Sequence, residues 1–159
     1  MKSGTAVSFT LAGLVWFTGC VAQADTGRPA GGRTWSLTRD GVSLQVADKP
    51  KRISVALPGW HWAGAPYGSS PDLAVGPQGE AIVTSDVVPV LWRIDPETLS
   101  VSVHPLTLES DTGMDIGFTR LVYSREHDAY VGISGPLGSL WIIDRALARA
   151  RKLERASIR

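Results

Sequence analysis

The chain has 159 residues, room for one domain, with 43% hydrophobic and 19% charged residues, which excludes a disordered chain. Its charges nearly cancel, 16 Lys/Arg against 15 Asp/Glu, and no basic field covers the body, so nucleic acid is excluded as a partner. A single cysteine excludes a disulfide framework.

The N-terminus carries an export signal. Lys2 supplies a positive charge, and an apolar run follows from Ala6 to Phe17. A dozen residues are too few to span ~30 Å of hydrocarbon, but they suit the apolar region of a signal peptide. Two processing sites compete after it. Phe17-Thr18-Gly19-Cys20 resembles a lipobox, in which the cysteine is lipidated and becomes the new N-terminus. Ala22-Gln23-Ala24 is a small-x-small site for ordinary signal peptidase. Residues 1–24 are therefore read as a signal peptide. Lipidation of Cys20 would anchor the protein in a membrane. Val21 is not the Asp that favours inner-membrane retention, so the expected place is the periplasmic side of the outer membrane. Cleavage after Ala24 would instead give a soluble periplasmic or secreted protein. Residues 25–33 are polar and rich in Gly, and read as a flexible tether.

Residues 34–159 read as a single domain of repeated β-units. Trp35-Ser36-Leu37, a turn at Thr38–Gly41 and Val42–Val46 look like the third and fourth strands of a partial unit over 34–57. Ile53–Leu57 is one further alternating strand. Then Leu91-Trp92-Arg93-Ile94-Asp95 recurs 49 residues later as Leu140-Trp141-Ile142-Ile143-Asp144. Each copy follows the same order of elements, in units spanning 72–106 and 120–155. A short apolar strand (Leu73–Val75; Leu121–Tyr123) meets a turn, Gly76-Pro77-Gln78-Gly79 or Arg125-Glu126-His127-Asp128. Pro77 pre-sets φ for that turn. A second strand, a loop with Pro89 or Pro136, and the Leu-Trp strand follow. Leu99–His104 alternates as a half-exposed fourth strand should. The last stretch, 145–159, is helix-prone in composition but takes the place of a fourth strand as far as Leu153.

Four antiparallel strands per 40–50 residues mark a β-propeller blade. Asp72-Leu73-Ala74-Val75-Gly76-Pro77-Gln78-Gly79-Glu80-Ala81-Ile82-Val83-Thr84 resembles blades of the NHL and gluconolactonase-like propellers. The resemblance covers about two units. It implies an all-β, propeller-like fold, incomplete as a closed ring, and no particular activity. Two full units and one partial unit cannot close a propeller. The chain is therefore expected either to self-associate or to wrap its partial sheets into a compact sandwich.

Trp92 and Trp141, at equivalent repeat positions, are expected to pack between blades. Trp60, His61, Trp62 and Tyr67 lie together in a Gly/Pro-rich loop without strand period. Aromatics in such a loop suit contact with a glycan or an envelope protein, or else they plug the end of the core. Asp111 and Asp115 lie in an acidic loop that lacks EF-hand spacing, and Asp86 lies in a second-to-third-strand loop. Strand direction puts all seven on one edge, opposite the tight turns. His61, His104 and His127 have no metal-ligand spacing, and neither metal nor cofactor is expected. Gly132-Ile133-Ser134-Gly135-Pro136 misses the G-x-S-x-G pattern at its last position. The expectation is a non-catalytic binding or assembly module of the cell envelope. The alternative is a fragment of a periplasmic propeller enzyme of the gluconolactonase-like or quinoprotein-like kind.

Overall fold

A computed structural model describes residues 32–47, 49–62, 70–109, 117–135 and 138–153. The signal peptide with Cys20, the tether as far as residue 31, Tyr67, Asp111, Asp115 and the basic end beyond Leu153 lie outside the described residues, and Arg33, read as the last tether residue, instead opens the first strand. Among the described residues there are strands and turns, and no helix.

Twelve strands form three sheets. Sheet A holds β1 (Arg33–Thr38), β2 (Gly41–Val46) and β3 (Ile53–Ala56), in that order. Sheet B is an antiparallel meander of β4 (Leu73–Val75), β5 (Ala81–Thr84), β6 (Val90–Ile94) and β7 (Val101–Pro105). Sheet C repeats that meander with β9 (Phe118–Ser124), β10 (Ala129–Ser134), β11 (Leu140–Asp144) and β12 (Arg149–Lys152). A fifth strand, β8 (Thr107–Leu108), comes from the B-to-C connection and pairs parallel with β12. The C-terminal stretch is thus a strand in its repeat position, in spite of its helix-prone composition. The cross-strand pairing explains why: Trp141 lies opposite Lys152 and Ile143 opposite Ala150.

The tight turns of sheets B and C all lie on one edge, the turn edge. Gly79 N–H donates to Gly76 O at 3.0 Å, closing the turn, and Gly79 sits at φ 83°, which glycine adopts without steric cost. The equivalent Asp128 holds φ 44°, tolerable because a short polar side chain suffers least there. Asp95 Oδ1 accepts from Glu97 N at 2.9 Å and Thr98 N at 2.7 Å, an Asx turn into β7. In the equivalent turn Asp144 Oδ1 accepts further along, from Ala148 N at 2.7 Å and Arg149 N at 3.3 Å. These two turns place Leu99 and Leu147 at φ 58° and 57°.

The opposite edge, the loop edge, holds the β5–β6 and β10–β11 loops and the ends of the connections between sheets. In sheet A the register corrects the expected strand assignment by one place. Thr38 pairs with Gly41 and Gly41 with Ala56, so the β1–β2 turn and the exit of β3 share an end. β3 leaves that end for the connection to β4, as a fourth strand does. β1 and β2 therefore run as second and third strands.

The sheets stack in series. Between A and B lie Trp35, Val42, Leu44, Leu57, Trp60, Leu73, Ala81, Val83, Trp92 and Ile94. Ala74, Ile82 and Leu91, on the other face of sheet B, pack against Phe118, Leu121, Tyr130, Trp141 and Ile143 of sheet C. Trp92 and Trp141 thus each turn toward the preceding sheet, as their repeat position implied. Among the described residues the stack neither closes into a ring nor folds back on itself as a sandwich, and sheet A and sheet C each keep an outer face with no sheet on it.

Candidate functional site: the loop edge

The loop edge is assembled by backbone hydrogen bonds within and between sheets. Phe118 N–H donates to Ser85 O at 2.7 Å, and Gly135 N–H to Gly117 O at 3.2 Å. Thr84 N–H donates to Asp72 O at 3.0 Å, and Thr84 Oγ1 accepts from Asp72 N at 2.7 Å. Gly117 has no room for a side chain: a Cβ there would lie 2.2 Å from the carbonyl carbon of Asp86. The chain crosses Asp86 at this glycine because nothing larger permits the approach. Residues 57–62, 84–89, 117–118, 134–135 and 138–139 thus meet along one edge.

Of the residues expected to bind, four are described and they divide. Trp60 is buried at 5% exposure, and its indole N–H donates to Thr84 O at 3.0 Å, fixing the ring under the edge. It belongs to the core between sheets A and B. His61 and Trp62 are exposed, Trp62 at 37%, with the two Trp rings edge-on at 6.4 Å. Asp86 is 9% exposed, and its Oδ1 finds no hydrogen-bond donor among the described residues. A buried acceptor left without a donor keeps its desolvation cost. Beside it, Val87 and Val88 are exposed at 43% and 42%. Ser85 Oγ accepts from both their N–H groups at 3.2 Å, holding the loop in a tight turn. Sequence reasoning missed this pair. The signal was present in two adjacent β-branched residues between strands, where no alternation could bury both.

Chemically the edge offers apolar surface from Trp62, Val87 and Val88, with the Asp86 carboxyl buried beneath it. Among the described residues no three His, Cys, Asp or Glu side chains gather as metal ligands. The turn edge has its own polar network, also unforeseen. The Tyr123 hydroxyl donates to Asp128, and Arg145 Nη1 reaches both Asp128 oxygens at 3.2 and 3.3 Å. The donated Tyr123 bond, then Arg145, hold Asp128 below the usual carboxylate range, while the bond to Asp128 pushes the Tyr123 phenol up. Asp128 and Arg145 are exposed and Tyr123 is half-buried, so the ion pair contributes little to stability.

No protein-family model matches the chain, and no curated protein matches it in sequence. A solved structure does match in fold: a catalytically inactive virginiamycin B lyase from Staphylococcus aureus, crystallised with quinupristin. The two superpose with a TM-score of 0.59 at 14% identity, over 86% of this chain and 44% of the lyase. This identifies the architecture as an incomplete propeller. The chain spans less than half of the protein it resembles.

Proposed function

We propose that the chain is a non-catalytic binding module of the cell envelope, exported by its N-terminal signal, held to the membrane by a lipid on Cys20, and binding a glycan through its loop edge. The observation that supports the ligand site is the exposed apolar surface of Trp62, Val87 and Val88 on one edge, with the Asp86 carboxyl directly beneath it. A sugar ring presents an apolar face and a rim of hydroxyl donors. The first suits the indole and the second suits the carboxylate. Tyr67, Asp111 and Asp115 are proposed to add to the same edge. An envelope protein bound there would use the same apolar surface.

The test has two arms. Soluble peptidoglycan fragments are titrated while Trp fluorescence is followed. Trp62→Ala and Asp86→Asn are expected to weaken binding about tenfold or more, equivalent to ~1.4 kcal/mol. Wild-type protein that binds no fragment overturns the glycan reading. Separately, Cys20→Ala should move the protein out of the membrane fraction or leave it unprocessed. A wild-type chain that is soluble and starts at Asp25 overturns the anchor. A second reading, part of a propeller enzyme completed by other blades, is favoured by the likeness to a lyase of which the chain covers 44%.

A further inference from the structure

The turn edge of sheet C carries a cleft of about 390 Å³, within the size range of small-molecule sites. Ala129 and Ile142 form an apolar floor, and charged side chains stand around it. Several of these are already committed. Arg145 pairs with Asp128, which also takes the Tyr123 hydroxyl. Asp144 Oδ1 holds the turn through Ala148 N–H and Arg149 N–H. Arg149 and Arg151 are exposed, and their guanidinium groups form no ion pair among the described residues. They flank the buried Ala150 on β12, so both project from the outer face, roughly 6.6 Å apart along the strand. Glu109, just past β8, also lines the cleft; its N–H donates to Ala150 O, and its carboxylate pairs with neither arginine. The repeat shows that the fold does not ask for these arginines. Arg151 lies opposite Ile142 as Ser102 lies opposite Arg93, and two places earlier Arg149 matches Ser100. Sheet B builds the same turn and strand with two serines.

We propose that this cleft binds the phosphate group of a small polyol or sugar phosphate, held between Arg149 and Arg151. Two uncommitted guanidinium forks on one face match a group with three outward oxygens and about two negative charges, whereas a carboxylate is satisfied by one fork. The body of the ester lies over Ile142 and Ala129. Glu109 accepts from one of its hydroxyls, a bond that a carboxylate makes and a guanidinium does not. Glu109 also offsets part of the positive charge, so the binding is modest and falls with salt. This cleft lies on the edge opposite the loop edge, and it stands or falls independently of the ligand proposed there.

Isothermal titration calorimetry of the full chain, in non-ionic detergent and a chloride buffer of low ionic strength, tests this with glycerol phosphate, inorganic phosphate and acetate. Glycerol phosphate should bind with a dissociation constant on the order of 0.1–1 mM. Arg149→Gln and Arg151→Gln should each weaken it about tenfold or more. Arg52→Gln, an exposed cation beside β3 of sheet A, should leave it unchanged. Acetate should bind at least about tenfold more weakly than the ester. Inorganic phosphate bound as tightly as glycerol phosphate would overturn the ester and leave a site for the free ion. No saturable binding of glycerol phosphate, weakening by Arg52→Gln equal to that of the cleft variants, or acetate bound as tightly as phosphate would each overturn the site itself.

Discussion

The two inter-sheet interfaces use the same repeated tryptophan and are held together differently. Between A and B the connecting segment does the work. Pro58 O accepts from Trp92 Nε1 at 2.8 Å, and Trp60 from the same segment fills the core. Between B and C the connection runs away to the outer edge as β8, where Glu109 N–H donates to Ala150 O at 2.9 Å. Trp141 Nε1 is then buried with no acceptor among the described residues. Carboxylates bridge instead. Asp72 Oδ2 accepts from Leu121 N–H at 2.9 Å, and Tyr130 OH donates to the buried Glu80 at 3.4 Å. A repeat thus specifies the shape of each sheet, and the residues outside the repeat decide how sheets are joined.

The largest expected effect breaks the A–B interface. Trp60→Ala removes a buried indole and its hydrogen bond, at a cost of ~3–5 kcal/mol. The melting temperature should fall by more than about 10 °C, whereas Trp62→Ala, a third exposed, should change it little. A small shift for Trp60→Ala would return that residue to the ligand surface.

This contrast also shows how far the sequence could be read. The Leu-Trp repeat and the Gly76-Pro77-Gln78-Gly79 turn were legible because period and turn chemistry are local. Trp60 was not, since a tryptophan in a Gly/Pro-rich loop carries no period to tell inward from outward. Asp72 and Glu80 read as acids flanking a turn, and only the approach of sheet C buries them. β8 is two residues paired in parallel to a strand some 40 positions later, which no local pattern announces. Sheet A was displaced by one strand for the same reason: direction comes from the neighbour it packs on. Of the candidate site, the edge itself followed from strand order, but which side chains face solvent did not.

A smaller effect sharpens the B–C interface through pH. Burial, then the charge of Glu80, push the Tyr130 phenol up from its ordinary value of 10.0. The folded state therefore holds the proton more tightly than the unfolded chain. The stability this gives is complete below pH 10, and is lost above it as the unfolded chain ionises first. The slope is about 1.4 kcal/mol per pH unit for one proton. Urea midpoints measured from pH 9 to 11 should fall steeply in wild type, and less steeply in Tyr130→Phe. Because the Tyr123 phenol is raised as well, both are compared in a Tyr123→Phe background. Equal slopes would mean that Tyr130 is not held as buried as described.

The finest test compares the two tryptophans directly. Trp92→Phe and Trp141→Phe remove the same atoms from two buried positions, 4% and 0% exposed, at the same point of the repeat. The volume lost is therefore matched, and each phenyl ring keeps most of the apolar contact. Only the polar consequence differs. Trp92→Phe deletes a bond to Pro58 O and leaves a part-buried carbonyl without its donor. Trp141→Phe deletes an N–H that is buried without an acceptor, so it removes a desolvation cost along with the contact. The phenyl ring can still lie beneath Lys152, whose ammonium sits 5.8 Å from the Trp141 ring centre. Trp92→Phe should be the more destabilising of the two by about 1 kcal/mol. Chemical denaturation at matched slope resolves that difference. If the two cost the same, the B-to-C connection supplies Trp141 with an acceptor as the A-to-B connection supplies Trp92, and the interfaces are alike after all.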